Sequence, residues 1–316
     1  MRILVTGSAG FIGFHLSRRL LAEGHTVVGV DNFNNYYDVK LKRDRDKILH
    51  RFKNFTVNEN DICKLDDMKR VFSDGFDAVV NLAAQAGVRY SIESPHTFIQ
   101  TNIAGFTNII DCAKEAGVKN FIYASSSSVY GKHSLQPSNE EHNIMSPRSL
   151  YAATKISNEA IAFSYHDLFD MNCAGLRFFT VYGPWGRPDM ALQLFADGIS
   201  QNHRIDIFNH GDMYRDFTYI DDIIEGIVSC IYRQCGFQVF NLGSGAKVPL
   251  TKYISVLEKE FNKVAQKRLL PMQPGDVRES LADISKAKGW LNYKPTVYVE
   301  EGIKRYVKWY KEYYGV

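Results

Sequence analysis

The sequence Thr6-Gly7-Ser8-Ala9-Gly10-Phe11-Ile12-Gly13 lies between a short apolar run at residues 2–6 and an apolar-periodic segment at residues 14–21. This order predicts a strand, a glycine-rich turn and a helix. The glycines would let backbone N–H groups at the start of the helix approach a pyrophosphate. The stretch therefore predicts a dinucleotide-binding site.

An acidic residue at the end of the next predicted strand supports this interpretation. The strand at residues 26–30 is followed by Asp31, which lies 18 residues after Gly13. In dinucleotide-binding folds, an acid near this spacing holds the ribose 2′-hydroxyl. Because a 2′-phosphate would meet a carboxylate here, Asp31 favours NAD over NADP. The charged residues at positions 40, 42 and 43 are interpreted as a solvated face.

Strand and helix patterns alternate through the first half of the chain. Apolar runs at residues 55–58, 78–82, 120–125 and 172–178 are typical of buried strands, with helical patterns between them. This alternation predicts an α/β fold, a Rossmann-type doubly wound parallel sheet with helices on both faces. One long helix is expected at about residues 95–116.

The pattern loosens after residue 178, where a loop rich in Gly and Pro precedes shorter elements. We expect residues 1–180 to form the NAD-binding Rossmann domain, rejoined by about residues 217–243. Residues 181–316 would form mainly a smaller C-terminal α/β lobe that covers the substrate. Ligands of such sheets bind beyond the carboxyl ends of the strands. The glycine turn, Asp31, Asp61, the turn at 83–84 and the serines at 125–128 all fall there.

A tyrosine and a lysine follow the serine run at helical spacing. Tyr151 and Lys155 lie four residues apart, so their side chains share one face of a predicted helix. A nearby ammonium favours the phenolate and would lower the pKa of Tyr151. The tyrosine would then act as a general acid or base. Taken alone, the Tyr-x-x-x-Lys pattern also fits an ordinary helix face.

The composition is that of a globular chain with no specialised partner. The chain has 316 residues, 45% of them hydrophobic and 23% charged, and a net charge of +3 that is too small to indicate nucleic acid binding. No apolar run approaches the roughly 18 residues of a membrane span. The first residues enter a strand pattern without a signal-peptide shape, which favours a cytoplasmic enzyme. Five cysteines without C-x-x-C spacing and nine dispersed histidines favour reduced thiols and no metal site.

Taken together, the motifs resemble those of extended short-chain dehydrogenases/reductases of the nucleotide-sugar epimerase/dehydratase family, over nearly the whole length. Within this family the details resemble the UDP-glucuronate 4-epimerases. One departure is Tyr214, at a place that is often basic in these enzymes. Besides the glycine turn, the serine run and the Tyr-Lys pair, the matching segments are residues 81–91, 177–191, 208–211, 215–222 and 240–243.

The resemblance implies NAD-dependent epimerisation at C4 of a UDP-hexuronic acid, from UDP-glucuronate to UDP-galacturonate through a transient 4-keto intermediate. Tyr151 would move the proton of the 4-hydroxyl, while the C4 hydride passes to NAD and back. Lys155 would keep Tyr151 acidic and hold the nicotinamide ribose. Ser126, ahead of Ser127 and Ser128, would hydrogen-bond the sugar 4-oxygen. Dehydratases and decarboxylating relatives carry acids where this chain has serines, which favours epimerisation.

The resemblance also implies the binding residues. Arg187 is a candidate for gripping the sugar carboxylate, the alternative being a rim arginine in a surface loop. Ser127 and Thr180 would hydrogen-bond the same group, and Arg215 and Arg278 would bind the diphosphate. Phe208 would flank the uracil, or belong to the core. The residues assigned to NAD are Gly7, Gly10, Phe11, Ile12, Gly13, Asp31, Asn32, Asp61, Ile62, Leu82, Ala83, Ala84, Tyr151 and Lys155.

Two other functions stay open at this point. One is a 4-epimerase of a neutral UDP-sugar, such as UDP-glucose/UDP-galactose or their N-acetyl forms. The other is a non-catalytic NAD-binding sensor, which the retained Tyr-Lys pair disfavours. The resemblance further implies a homodimer through helices near 95–116 and 150–167, and a role in polysaccharide biosynthesis.

Overall fold

The computed structural model describes residues 1–131, 135–273 and 275–316. The strands are short and, in the first half of the chain, rich in Val, Ile and Phe, as buried parallel strands usually are. They are β1 (Arg2–Thr6), β2 (Thr26–Val30), β3 (Phe55–Asn58), β4 (Ala78–Asn81), β5 (Asn120–Ser126), β6 (Asn172–Phe178), β7 (Thr180–Tyr182), β8 (Arg204–Ile207), β9 (Tyr214–Arg215), β10 (Phe217–Tyr219), β11 (Phe237–Leu242), β12 (Val248–Pro249) and β13 (Gln266–Leu269).

Helical segments connect most of these strands. They are α1 (Phe11–Ala22), α2 (Val39–Leu49), α3 (Leu65–Phe72), α4 (Tyr90–Glu93), α5 (Pro95–Phe98), α6 (Phe106–Glu115), α7 (Leu150–Phe169), α8 (Ala191–Ser200), α9 (Ile220–Ile231), α10 (Leu250–Phe261), α11 (Ser285–Leu291) and α12 (Val299–Tyr314). No helix in the described ranges is both long and apolar enough to cross a membrane.

Seven parallel strands form the central sheet, in the order β3-β2-β1-β4-β5-β6-β11. The strand order reverses direction between β1 and β4, so their carboxyl ends form the crevice where such sheets bind ligands. The predicted doubly wound parallel sheet is confirmed. Its last strand comes from Phe237–Leu242, far beyond residue 180, and the division into two domains stays a proposal.

Alternating side chains of the strands build a core on each face of the sheet. Ile3 and Val5 pack with α1 and α9 in one core cluster. Leu4, the residue between them, packs with α3 and α6 in the other. Successive strand residues point to opposite faces, so one short apolar strand serves both layers.

The C-terminal half continues the first of these clusters. Its small parallel pair, β8 with β13, packs beside α8, α10 and α12. The rings of Phe217 and Tyr253 stack at 3.8 Å between centroids, and Tyr182 packs edge-on against both. The loop that follows β7 is therefore anchored on a rigid aromatic core.

The helix expected at 95–116 is interrupted. A π-helical segment, Ile99–Gly105, separates α5 from α6. It contains the buried Asn102, whose Nδ2 donates to the backbone oxygen of Gln85 and to Oγ1 of Thr154, both at 3.0 Å. The amide thus ties the turn after β4 to α7, and π segments of this kind are frequent at functional sites.

Candidate active site

The glycine turn fills the space between β1, α1 and the turn after β4. Gly7 has φ +69°, and a Cβ on it would lie 2.9 Å from the backbone nitrogen of Ala83. A Cβ on Gly13 would lie 2.1 Å from the backbone oxygen of Gly7. No side chain fits at either place, so these glycines are required by close backbone packing.

The turn delivers the N-terminus of α1 to the carboxyl edge of the sheet. Gly10 is the N-cap and has no side chain to satisfy the first N–H groups, which begin at Phe11 and Ile12. Those groups and the helix dipole favour an anion. The cradle therefore fits the pyrophosphate of a dinucleotide, with the glycines giving the backbone close access.

Asp31 closes the turn from the neighbouring strand. Its carboxylate accepts hydrogen bonds from the backbone N–H of Ala9 at 3.1 Å and of Phe33 at 2.9 Å. Burial raises the pKa of Asp31, while the charge of Lys42 and these backbone bonds lower it. Asp31 therefore lies beside the glycine turn, at the end of β2.

The burial of Lys42 contradicts one of the expectations from the sequence. It was interpreted as part of a solvated face, but it is buried and its Nζ donates to the backbone oxygen and Oδ1 of Asn34, both at 2.8 Å. The apolar residues of α2 pack against the protein interior, and Lys42 lies on the same side of the helix. Lys42 is thus close enough to Asp31 to act on its carboxylate.

The remaining residues assigned to NAD line the ends of β3 and β4. Asp61 accepts a hydrogen bond from Nδ2 of Asn32 at 3.0 Å, and the next residue, Ile62, is buried. The backbone nitrogens of Leu82 and Ala83 donate to the backbone oxygen and Oγ1 of Thr6. Oγ1 of Thr6 in turn donates to Asn81, which is structural. Ala84 follows directly in the same turn.

Tyr151 lies in the first turn of α7, whose N-cap Ser149 accepts the backbone N–H of Ala152 at 3.1 Å. The Nζ of Lys155 lies 6.0 Å from the Tyr151 ring centroid, one helical turn away. Burial raises the pKa of Tyr151, while a hydrogen bond with Ser126 and the charge of Arg187 lower it. The expectation of a tyrosine made acidic by Lys155 is therefore wrong for the chain alone, since burial outweighs the opposing effects.

Lys155 is buried and unusually poor in charge partners. Its Nζ donates to the backbone oxygen of Ala124 at 2.9 Å. Burial lowers the pKa of Lys155 to about 8, and the carboxylate of Glu159 counteracts part of that shift. Glu159 itself is paired with Arg177 at 2.7 Å and accepts the Ser125 hydroxyl at 2.5 Å. The sequence analysis missed this buried pair because its members are 18 residues apart on different elements.

A cavity of about 170 Å³ opens beside the serine run. Ser127, Ser128 and Thr180 line it, as does Arg215, whose guanidinium donates to Asp276 at 2.7 Å. Ser126 lies behind the cavity wall, where its hydroxyl donates to Ser128 at 3.1 Å. The structure thus brings Ser127, Ser128, Thr180 and Arg215 together around one space, while Arg187 lines a separate, smaller cavity.

Two predicted nucleotide contacts lie outside the lining of that cavity, as far as the described residues show. Arg278 is exposed and forms a two-point ion pair with Asp212, at 2.9 and 3.1 Å. Phe208 has the guanidinium of Arg89 above its ring, 5.2 Å from the centroid. The sequence analysis gave no role to Arg89, which lies in the matching segment 81–91, or to the cavity-lining Arg148, which lies in no local motif.

Arg187 follows the Gly-Pro loop and lies close enough to Tyr151 for its charge to lower the pKa of that tyrosine. Its Nε and Nη2 donate to the two carboxylate oxygens of Asp189, at 3.0 and 2.5 Å. The hydroxyl of Tyr36 donates to the same carboxylate at 3.2 Å. A guanidinium has five N–H donors, so further donors remain for a ligand.

The arrangement suits acid–base chemistry on a hydroxyl group next to an anionic group. Tyr151, Ser126 and Lys155 are candidates for moving the proton, and Arg187 is a candidate for binding the anionic group. The described residues contain no group of three His, Cys, Asp or Glu side chains placed to hold a metal ion.

Comparison with known proteins places this site in a family. Residues 3–243 match the model of the NAD dependent epimerase/dehydratase family. The chain is 43% identical to UDP-glucuronate 4-epimerase 4 of Arabidopsis thaliana, covering 99% of this chain and 76% of that one.

Solved structures show the same likeness over almost the full length of the chain. The structure of UDP-glucuronic acid 4-epimerase from Bacillus cereus with UDP-glucuronic acid and NAD is 36% identical, with a TM-score of 0.94, covering 99% of this chain and 100% of that one. The UDP-glucose 4-epimerase of Thermotoga maritima with UDP-glucose is 30% identical, with a TM-score of 0.91 and coverage of 99% and 100%. The chain therefore belongs to the NAD dependent epimerase/dehydratase family.

Proposed function

We propose that the chain is a UDP-glucuronate 4-epimerase, which interconverts UDP-glucuronate and UDP-galacturonate with NAD as its cofactor. The observation that carries the proposal is Arg187, a cation close enough to Tyr151 for its charge to lower the pKa of that tyrosine. A sugar that presents its C4 hydroxyl to Tyr151 has its C6 substituent within a few bonds of that atom. A carboxylate at C6 is the substituent that a guanidinium favours. The Arabidopsis and Bacillus cereus relatives, named for this reaction, support the same substrate.

The residues divide the work of a reversible oxidation at C4. NAD, when bound, supplies the hydride acceptor and donor. Tyr151 would take the proton of the 4-hydroxyl as the 4-keto sugar forms. It would return the proton after the sugar has rotated to present its other face. Ser126, whose hydroxyl acts on the Tyr151 pKa, would orient the sugar hydroxyl. The positive charges of Lys155 and Arg187 favour the anionic tyrosine, which burial alone disfavours.

The C6 carboxylate has to be restrained during this cycle. A 4-keto hexuronic acid is a β-keto acid, which loses CO2 when the breaking C–C bond aligns with the π orbitals of the carbonyl group. A two-point grip by Arg187, with hydrogen bonds from Ser127 and Thr180, would keep the bond out of that alignment. The serine run also places no carboxylic acid at the sugar, so no side chain there promotes elimination of water.

We expect Arg187→Ala to lower kcat/KM for UDP-glucuronate by about 10- to 150-fold, since hydrogen bonds to charged groups contribute roughly 1.5–3 kcal/mol. A UDP-pentose should appear among the products, because the freed carboxylate can reach the orientation for loss of CO2. Arg268→Ala is the matched control, since Arg268 is exposed and pairs only with Asp206 among the described residues. Wild-type rates and no pentose from Arg187→Ala would contradict the assignment.

The direct test of the proposed function is to incubate the purified protein with UDP-glucuronate, without added NAD, and to follow the sugar by proton NMR. Formation of UDP-galacturonate alone establishes the reaction and a retained cofactor. A UDP-pentose product from the wild type would mean decarboxylation and would overturn the account of Arg187. Reaction only after NAD is added would still support the proposed epimerase activity and would show that the purified protein retains NAD weakly.

A second candidate substrate is a neutral UDP-sugar. The ion pair of Arg187 with Asp189 favours it, because a guanidinium already held by a carboxylate leaves room for a hydroxymethyl group. The likeness to the Thermotoga maritima enzyme, whose structure contains UDP-glucose, points the same way. Conversion of UDP-glucose and UDP-N-acetylglucosamine, measured in the same NMR assay, decides between UDP-glucuronate and a neutral UDP-sugar as the substrate.

We also propose a homodimer that packs α6 and α7, with the π segment beside them, against the same elements of a second chain. Large apolar side chains are exposed on these elements, among them Ile99 (46%) on the π segment and Phe163 (52%) and Leu168 (69%) on α7. Exposed apolar residues grouped on adjacent helices are typical of a subunit interface. The cytoplasmic location and the role in polysaccharide biosynthesis stay predictions from the sequence.

We expect Phe163→Glu to convert the protein from dimer to monomer, because the charge would be buried without a partner in the interface. Light scattering after size-exclusion chromatography measures the mass of each form. Leu194→Glu, on α8, is the control, since Leu194 is equally exposed (53%) but lies away from α6 and α7. A monomeric wild type, or a Phe163→Glu variant that stays dimeric, would contradict this interface.

A further inference from the structure

Arg45 is a charged residue that the chemistry described above does not use. It lies on α2 and its side chain is completely buried. Its guanidinium pairs with no carboxylate in the described part of the chain and donates instead to neutral oxygens. Burying a cation without an anionic partner costs free energy, so the hydrogen bonds of Arg45 to neutral oxygens need an explanation.

One end of the guanidinium reaches the dinucleotide turn. Nη1 of Arg45 donates to the backbone oxygen of Ala9 at 2.9 Å and to the hydroxyl of Tyr37 at 2.8 Å. The N–H of the same residue, Ala9, donates to Asp31 at 3.1 Å. Ala9 is therefore held at its N–H and at its carbonyl group, in the middle of the turn that begins at Gly7.

The other end reaches the loop that carries Arg187. Nη2 of Arg45 donates to the backbone oxygens of Trp185 at 2.6 Å and of Gly186 at 3.3 Å. His15, on α1, lies with its Nε2 2.9 Å from the backbone oxygen of Pro184. Burial lowers the pKa of His15 to about 3, so the neutral ring donates that bond. Two buried side chains thus fix three consecutive carbonyl groups immediately before Arg187.

The loop needs this restraint because its backbone is strained. Trp185 has φ +62°, a conformation that costs a residue with a side chain of this size. The Trp185 ring packs on Phe14, Trp309 and Tyr313, which holds the side chain but leaves the direction of the next residues open. The bonds from Arg45 set that direction.

We propose that Arg45 is a positioning residue that ties the dinucleotide turn to the Arg187 loop, so that cofactor and sugar carboxylate are held in one fixed geometry. The part that concerns the carboxylate rests on the proposed function. A planar guanidinium is suited to this task, because it donates in two directions at once. A lysine has one donor centre and cannot satisfy both ends.

The test compares the wild type with Arg45→Lys, Arg45→Met and the control Arg51→Lys, an exposed residue just beyond the end of α2. Four quantities are measured on the holoenzyme: the ratio of UDP-pentose to UDP-galacturonate by NMR, kcat, KM, and the rate of NAD release by filtration. Thermal unfolding shows which variants are folded. Arg45→Lys decides the question if Arg45→Met does not fold.

For Arg45→Lys we expect kcat/KM to fall by about 100-fold, the cost of a misplacement near 1 Å. UDP-pentose, which the wild type should not form, should appear beside UDP-galacturonate and NAD should leave faster, while Arg51→Lys behaves as the wild type. A purely structural role would reduce stability and leave the product ratio unchanged, which would overturn the proposal. A wild type that leaves UDP-glucuronate unconverted overturns the proposed function instead, and the rates of NAD release then decide whether Arg45 holds the turn.

Discussion

Replacing Tyr151 by Phe should lower kcat by about 100- to 10,000-fold, the range that a positioned general acid–base contributes. In the proposed mechanism, the phenol oxygen takes and returns the proton of the 4-hydroxyl. The ring would keep its place, since it packs edge-on against Phe98 at 6.2 Å between centroids. The change therefore removes the proton path and leaves the cavity intact. Proton NMR of UDP-glucuronate and UDP-galacturonate measures the rate.

Two observations separate this result from a general loss of structure. Tyr151→Phe should retain bound NAD and the thermal unfolding of the wild type. Tyr232→Phe should keep wild-type activity, because Tyr232 is 54% exposed and bonds to Glu23 at the surface. If Tyr151→Phe keeps more than a tenth of the wild-type rate, another group moves the proton.

The local geometry that the sequence predicted correctly depends on neighbours in the chain. Three glycines at fixed spacing form a turn because backbone packing around Gly7 and Gly13 excludes a Cβ. The spacing of Tyr151 and Lys155 places them one helical turn apart in any helix. The order of strands and helices then brings the strand ends to one edge through the rule for parallel sheets. These relations need only local geometry.

The parts that the sequence did not reveal depend on contacts between distant segments. Arg45 meets the Trp185 carbonyl across 140 residues, and Arg215 meets Asp276 across 61. Neither spacing has a local signature, since the fold alone determines which segments meet. Lys42 was misjudged for a related reason, because burial of a charged residue depends on what packs over its helix. The pKa of Tyr151 was misjudged because helical spacing fixes the distance to Lys155 but not the degree of burial.

Replacing Lys155 by Met should abolish epimerisation and, at neutral pH, stabilise the protein freed of NAD. Burial lowers the pKa of Lys155 from 10.5 to about 8, which corresponds to a cost of about 3 kcal/mol for holding the protonated form in the folded chain. Met has a similar shape and carries no charge. The lost hydrogen bond to Ala124 offsets about 1 kcal/mol, so the net gain should be about 2 kcal/mol. Catalysis loses the cation that favours the Tyr151 phenolate.

The pH dependence of this gain follows from the direction of the shift. Below pH 8 the lysine is protonated in both states and the full cost applies. Between pH 8 and 10.5 the unfolded chain binds the proton more tightly, so the wild type gains stability as the pH rises. The advantage of Lys155→Met should therefore be complete below pH 8 and should have disappeared by about pH 10.5.

Urea unfolding of both NAD-free proteins between pH 6.5 and 10.5 measures the difference in free energy directly. Lys308→Met is the control, since Lys308 is exposed on α12 and its replacement should leave the pH profile unchanged. An inactive Lys155→Met variant that is less stable than the wild type at pH 7 would contradict the buried-cation account. It would mean that the bond to Ala124 outweighs the cost of burial. The predicted result would instead show that the fold gives up stability to keep a cation beside Tyr151, and that the cation is retained for its chemistry.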